Sequence, residues 1–182
     1  MVTPEKSKLY TMAEFIELAL KAENADKHFE LINGEIIEMS PGRTRNSWFA
    51  NLIIAAVHRF CDDHNLPYST SNGDSAFDIQ GNTVAPDFAF KRTPMGNEYP
   101  DPIAPEWAVE IISPTDKGPD IRAKRQIYLR AGILYWEMYP ESQSIDVYAP
   151  GQPLRTFNID DTLDGSDVLP GFTLPVKNIF AR

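Results

Sequence analysis

Two short segments with strand alternation each carry a carboxylate. In TVAPDFAF, alternation puts Ala85, Asp87 and Ala89 on one face and Val84, Pro86, Phe88 and Phe90 on the other, so Asp87 sits between two small side chains. In EWAVEIIS the same rule groups Ala108, Glu110 and Ile112, which sets a second carboxylate beside an alanine. Small neighbours leave room for an ion. If the two strands pair, both carboxylates can converge on one hard cation, and Mg²⁺ takes one or two carboxylates together with waters and phosphate oxygens. That geometry suits phosphodiester cleavage. Either residue alone would be an ordinary strand-face carboxylate in a sheet with one wet side.

A lysine joins them. Ile121, Lys124, Tyr128 and Ala131 follow one another at helical spacing, which places Lys124 on an otherwise apolar stripe. Two explanations stand open. The ammonium snorkels at the edge of the stripe, or it reaches the carboxylates, where it would orient a water nucleophile or stabilise charge developing on a phosphate.

The elements that must position these residues are legible in outline. Thr11 to about Ala22 is predicted helical, with Thr11 and Glu14 as a capping box and Phe15, Leu18 and Ala19 as the apolar face of a lid. FELINGEIIEMSP reads as a hairpin turning at Asn33-Gly34. There Glu30 shares a face with Ile32, Glu35 and Ile37, with Ile37 directly opposite. Glu30 is then either a functional carboxylate or a half-exposed hairpin residue, and Glu35 beside the turn is solvated. Ser47 to Asp63 has helical period through Phe49, Leu52, Ile53, Ala56, Val57 and Phe60, with Asn46 as the N-cap.

Strands are expected at Tyr68–Asn72, Ala76–Gln80, Thr83–Phe90 and Trp107–Ser113. A helix opens at Gly118-Pro119-Asp120 and ends near Gly132, and YWEMYP returns as a strand, which suggests a crossover. Short strands near Ile145–Tyr148 and Leu154–Ile159 precede LPGFTLPVKNIF, an edge strand or extended tail.

A chain of 182 residues without long polar breaks fits one domain, 1–182, of α/β class. No stretch approaches the roughly 18 apolar residues of a membrane span, and MVTPEKSKLY lacks the hydrophobic run of a secretory signal, so a soluble cytoplasmic protein without a membrane partner is expected. Cys61 stands alone, which excludes an internal disulfide and a cysteine metal site. His28, His58 and His64 match no zinc spacing. The net charge of −9 argues against a nucleic-acid partner, although carboxylates gathered for a cation count in that sum and one face can still be basic.

In order along the chain, ELINGEIIEMSP, PDFAF, EIISP, DIRAKRQIYLRAGILYW and LPGFTLPVKNIF resemble the Uma2 family (DUF820) of the PD-(D/E)XK nuclease superfamily. The likeness covers nearly the whole chain. It implies a restriction-endonuclease-like core, a mixed β-sheet flanked by helices, with Asp87 and Glu110 as metal ligands and the backbone carbonyl of Ile111 completing the site. It further implies Mg²⁺, with Mn²⁺ as a substitute, a DNA substrate and a homodimer; no protein partner is identifiable. The superfamily lysine usually lies two residues after the acid, where this chain has Ile112, and the resemblance moves that role to Lys124. Glu30 matches a further family acid, and Ser113 a serine that positions the lysine or caps the turn before Pro114. Many relatives carry a histidine where this chain has Asn46, which does not titrate near neutral pH and cannot act as a general base. Leu134 and Tyr139 stand where relatives often carry acids.

Three functions follow from these readings. The first is a Mg²⁺-dependent DNA endonuclease using Asp87, Glu110, Lys124 and Glu30. The second is a catalytically silent nucleic-acid-binding or regulatory module on the same fold. The third is an interaction domain in which Trp48, Trp107 and Trp136 are core residues. DNA binding requires cations such as Arg43, Arg45, Lys117, Arg122 and Arg125 to border the site.

Overall fold

The computed structural model describes residues 8–181, so most of the MVTPEKSKLY segment lies outside the described residues. Thr11 caps α1 (Met12–Ala19) through the expected reciprocal box: its hydroxyl accepts from Glu14 N, and the Glu14 carboxylate accepts from Thr11 N at 2.9 Å. The helix ends sooner than its pattern predicts, and a single 3₁₀ turn over Ala22–Asn24 follows. Asn33 and Gly34 both adopt positive φ, 51° and 85°, as a two-residue hairpin turn needs to match strand twist. They join β1 (His28–Ile32) to β2 (Glu35–Met39), with Glu30 opposite Ile37 as alternation predicts. Phe15 of α1 packs on Phe29 and Leu31 of β1.

α2 (Thr44–His64) begins earlier than expected. Arg43 occupies the N-cap position and Asn46 lies inside the first turn, its side chain directed away from the helix end. The expected strand over 83–90 divides into β5 (Asn82–Val84) and β6 (Phe88–Lys91), which belong to different sheets. Pro86, in the gap, has no N–H to give to a ladder.

With β3 (Ser69–Asn72), β4 (Phe77–Ile79), β7 (Trp107–Ile111), β8 (Leu134–Tyr139), β9 (Ser144–Tyr148) and β10 (Arg155–Phe157), the strands build two sheets. One is a four-stranded antiparallel sheet in the order β2-β1-β5-β4; the other has six strands in the order β10-β9-β8-β7-β6-β3. Only β7 and β8 pair in parallel in the larger sheet, and α3 (Gly118–Arg130) makes the crossover between them. The C-terminal run takes the edge-strand alternative, although not in this sheet. It forms β12 (Leu169–Pro175), which pairs with β11 (Thr162–Gly165) in a ribbon of its own before the short α4 (Lys177–Phe180).

Alternation sorts the two faces of the larger sheet. Phe88, Phe90, Trp107 and Trp136 pack against Phe49, Ile53 and Val57 of α2. Ala89, Ala108 and Tyr135 form the other face with Ile127 and Tyr128 of α3. The two alanines keep that face shallow, so a helix bearing polar groups can lie close to the strands. Among the described residues no helix is long and apolar enough to cross a membrane.

The loop between β6 and β7 is tied down by a buried ion pair, Lys91 Nζ to Asp101 Oδ2 at 2.6 Å. Asp101 also accepts from the amides of Gly96 (2.8 Å) and Ile103 (2.9 Å). Burial opposes its charge, but Lys91 and these amides outweigh burial and hold its carboxyl below the usual aspartate range. Its stabilising contribution is therefore complete above the ordinary aspartate pKa and is lost as the pH falls through the lowered folded value. Asp101→Ala, which strands the Lys91 ammonium, is expected to lose about 3–5 kcal/mol in urea denaturation at pH 7. The gap to wild type should narrow in strong acid.

Candidate metal centre

β6 and β7 run antiparallel with Phe88 opposite Val109 and Ala89 opposite Ala108. One residue further along that register, Asp87 lies across from Glu110, on the face covered by α3. Asp87 is fixed by its neighbour strand, since its Oδ2 accepts from Ile111 N at 2.7 Å. Glu110 is held from the helix: Tyr128 donates its hydroxyl to Oε1 at 2.7 Å, and Lys124 Nζ lies 2.8 Å from the same atom. Lys124 does not snorkel. Its ammonium also lies 2.9 Å from Glu30 Oε1, and that oxygen accepts from Ala85 N at 2.8 Å.

Glu30 is only 1% exposed, so the half-exposed hairpin glutamate is not what the structure contains. Alternation aims it inward from β1, and the linker between β5 and β6 supplies an amide that its carboxylate needs once buried. Asp87, Glu110, Lys124 and Glu30 thus come together from four parts of the chain. Ile111 joins them through its backbone: its N–H holds Asp87, and its carbonyl accepts from Asn46 Nδ2 at 3.2 Å. Ser113 stands apart in the following turn, where its N–H donates to Asp116 and its hydroxyl meets Thr115, which is the turn-capping alternative.

The electrostatics follow from burying three carboxylates around one ammonium. Burial pushes the Glu110 carboxyl up to about 8; Lys124 opposes that rise, and Asp87 and Glu30 add to it. Asp87 is likewise raised by burial, against the Ile111 amide and Lys124. Burial alone would lower the Lys124 ammonium, but Glu110 and Glu30 outweigh it and hold Lys124 well above the usual lysine range. Three carboxyl groups share one lysine, so the pocket has room in its charge balance for a second cation.

These residues fit a hard divalent cation. Hydrogen bonds fall on Asp87 Oδ2 and Glu110 Oε1, while Asp87 Oδ1 and Glu110 Oε2 take none from the described residues. A Cβ at Gly73 would stand 3.6 Å from Asp87 Oδ1, so the glycine keeps space open there. Among the described residues no three His, Cys, Asp or Glu side chains gather as a metal cage. A cation here would draw on two carboxylates and the Ile111 carbonyl, with water or substrate oxygens completing its shell.

Several participants escape a reading of motifs. Tyr128 was legible only as a stripe residue, although its position one turn after Lys124 points it at the same carboxylate. Asn46 supplies an amide that braces the Ile111 carbonyl. Arg125 is not available for phosphates: it donates twice to the buried Glu137, at 2.8 and 2.6 Å, and Tyr135 and Tyr139 donate to the same carboxylate. Glu137 pairs with Glu110 across β7 and β8, so this second network clamps α3 directly beside the site. Trp107 and Trp136 are core residues, whereas Trp48, which the interaction-domain reading also puts in the core, is 50% exposed.

A mixed sheet with helices on both faces, and carboxylates opposed on neighbouring strands, places the protein in the restriction-endonuclease-like class. The chain belongs to the Uma2 family, described as "Putative restriction endonuclease", whose pattern matches residues 12–177. It is also similar to a solved structure, described as a putative nuclease belonging to DUF820 from Anabaena variabilis ATCC 29413. The likeness has a TM-score of 0.77 at 19% sequence identity and covers 94% of this chain and 97% of the other. No curated protein matches the sequence.

Removing the shared ammonium should expose how far the cluster depends on it. Lys124→Met keeps the stem but leaves Glu30 and Glu110 without a cation, and a loss of about 3–5 kcal/mol in chemical denaturation is expected. In a Glu30→Gln background the same change should cost clearly less, because the residues act as one unit.

Proposed function

We propose that the protein is a Mg²⁺-dependent endonuclease that hydrolyses DNA phosphodiester bonds, with Mn²⁺ as an alternative metal. The observation that carries this reading is the opposition of Asp87 and Glu110 across β6 and β7, with the Lys124 ammonium held at the same spot. Asp87, Glu110 and the Ile111 carbonyl would hold the cation. When bound, such an ion polarises a phosphoryl oxygen and lowers the pKa of a water.

The chain's own residues do the rest. Lys124 presents a fixed positive charge beside the carboxylates, placed to stabilise charge growing on the phosphate or to orient the attacking water. Tyr128 keeps Glu110 in one rotamer, and Asn46 keeps the Ile111 carbonyl aimed. Glu30 acts through Lys124: bonded to both the ammonium and Ala85 N, it anchors the lysine to the hairpin. Arg125, tied to Glu137, sets the height of α3 above the sheet.

A silent nucleic-acid-binding module is the second reading, and one observation favours it: Glu110 Oε1 is already committed to both Lys124 and Tyr128. Cleavage decides between them. Supercoiled and single-stranded DNA incubated at low salt with Mg²⁺ or Mn²⁺ should be nicked by the wild type. Asp87→Ala should abolish nicking, and Lys124→Ala should slow it by at least about 100-fold, the usual scale for losing one transition-state charge contact. Chelation should stop it. DNA binding with no cleavage under any metal would establish the silent module.

A further inference from the structure

α2 carries a feature that the metal centre does not use. No Asp or Glu occurs between Glu38 and Asp62, although the chain has 26 acids, and the stretch holds Arg43, Arg45 and Arg59. All three arginines are exposed, and none makes an ion pair among the described residues. By contrast Lys91, Arg92, Lys124, Arg125 and Arg155 are each bound to a carboxylate.

Helical spacing makes Arg45 and Trp48 neighbours on the exposed side of α2, at whose edge the Arg45 guanidinium lies over the Phe49 ring, 5.3 Å from its centroid, and Leu52 packs partly on the core. Half of the Trp48 surface meets solvent on this side. An indole exposed in that way leaves apolar surface in water with no packing gain. The position relative to the site is fixed by Asn46, which bonds the Ile111 carbonyl from two residues before Trp48, about 3 Å along the helix axis.

We infer that the N-terminal part of α2 is a platform for an unpaired nucleotide of a bound nucleic-acid strand, with Trp48 stacking on the base and Arg43 and Arg45 meeting the flanking phosphates. This deepens the nuclease reading and rests on it. Charge selects the occupant: on a chain of net charge −9, an acid-free stretch of helix whose arginines stay out of ion pairs attracts a polyanion. The ring selects its form. Every base has a face that can stack on an aromatic, but only an unpaired base is free to do so, and guanidinium groups beside the ring hold the backbone. Asp62 and Asp63 close the platform at the far end of the helix.

The test is binding of a short oligothymidylate to the full chain, followed by tryptophan emission at low salt in EDTA, where metal-dependent cleavage does not compete. Trp107 and Trp136 are fully buried, so quenching by a stacked base reports Trp48. The wild type should be quenched on binding, and a blunt duplex of equal length should bind without that quenching. Trp48→Ala should bind the single strand about ten-fold more weakly with an unchanged thermal midpoint, and Trp48→Phe should recover part of the loss. Arg45→Ala should lower the salt dependence by about one unit of slope. Equal affinity of Trp48→Ala and wild type would overturn the platform while leaving metal-dependent cleavage to stand. Trp48-dependent binding by a protein that cleaves nothing would keep the platform and remove the nuclease. A wild type that binds no oligonucleotide would overturn the platform and leave the nuclease to the cleavage assay in Mg²⁺.

Discussion

One buried ammonium organises this protein. Lys124 Nζ lies within 3 Å of Glu110 on β7 and of Glu30 on β1, so one side chain of α3 joins the six-stranded sheet to the four-stranded one. A buried carboxylate without a partner is driven to take up a proton or to expose itself, and here two of them depend on the same cation. The height and rotation of α3 above the sheet must then satisfy both at once. The neighbouring Arg125–Glu137 pair fixes the same helix from the adjacent strand, and Ala89 and Ala108 give it the room to lie close. The cluster therefore has the marks of a site assembled by the fold: its geometry is set by elements far apart in sequence, each held by its own backbone hydrogen bonds.

How much of this is visible in the sequence depends on the range over which the signal acts. The Asn33-Gly34 hairpin, the Thr11–Glu14 box, and the facing of Asp87 and Glu110 are local rules of turn chemistry, capping and alternation, and the structure contains all three. Lys124 was legible because a charge on an apolar stripe is a local anomaly. The division of 83–90 between two sheets had a local cause in Pro86, but alternation alone continues straight through it. Asn46 and Arg125 were not legible in their roles. An asparagine before a helical run reads as a cap, and an arginine near a carboxylate motif reads as a phosphate contact. What decides otherwise is a partner 65 residues away for Asn46 and a buried glutamate on the returning strand for Arg125. The same holds for Trp48, since periodicity places a tryptophan on a helix without saying that nothing will cover it.

The net charge also needs the structure to be understood. Several acids are consumed internally: Glu30 and Glu110 share Lys124, Glu137 is held by Arg125 and two tyrosines, and Asp101 by Lys91. Cations pair in the interior and along the loops, while Arg43, Arg45, Arg59, Lys117 and Arg122 stay out of ion pairs among the described residues. Arg43 caps α2, and Arg45 and Arg59 lie on it; Lys117 caps α3 and Arg122 lies in its first turns, after β7. A negative total is thus compatible with a local positive rim, because what a polyanion meets is the layout of unpaired charge near the site and not the sum over the chain.

On the proposed reading, the geometry also explains why a lysine can leave the acidic strand without leaving the site. Position 112 lies just past the end of β7, and by alternation its side chain falls on the same face as Glu110. The helix after β7 crosses above that face on its way to β8, so a long side chain from its first two turns reaches down into the space that a strand lysine would reach along. Ile112 is left to end the strand, its amide donating to Met138 O at 2.8 Å. A lysine carried by α3 depends on the crossover: its ammonium is as well placed as α3 itself. The Arg125–Glu137 clamp, the Tyr128 hydroxyl on Glu110 and the buried Glu30 are the three contacts that make that placement definite.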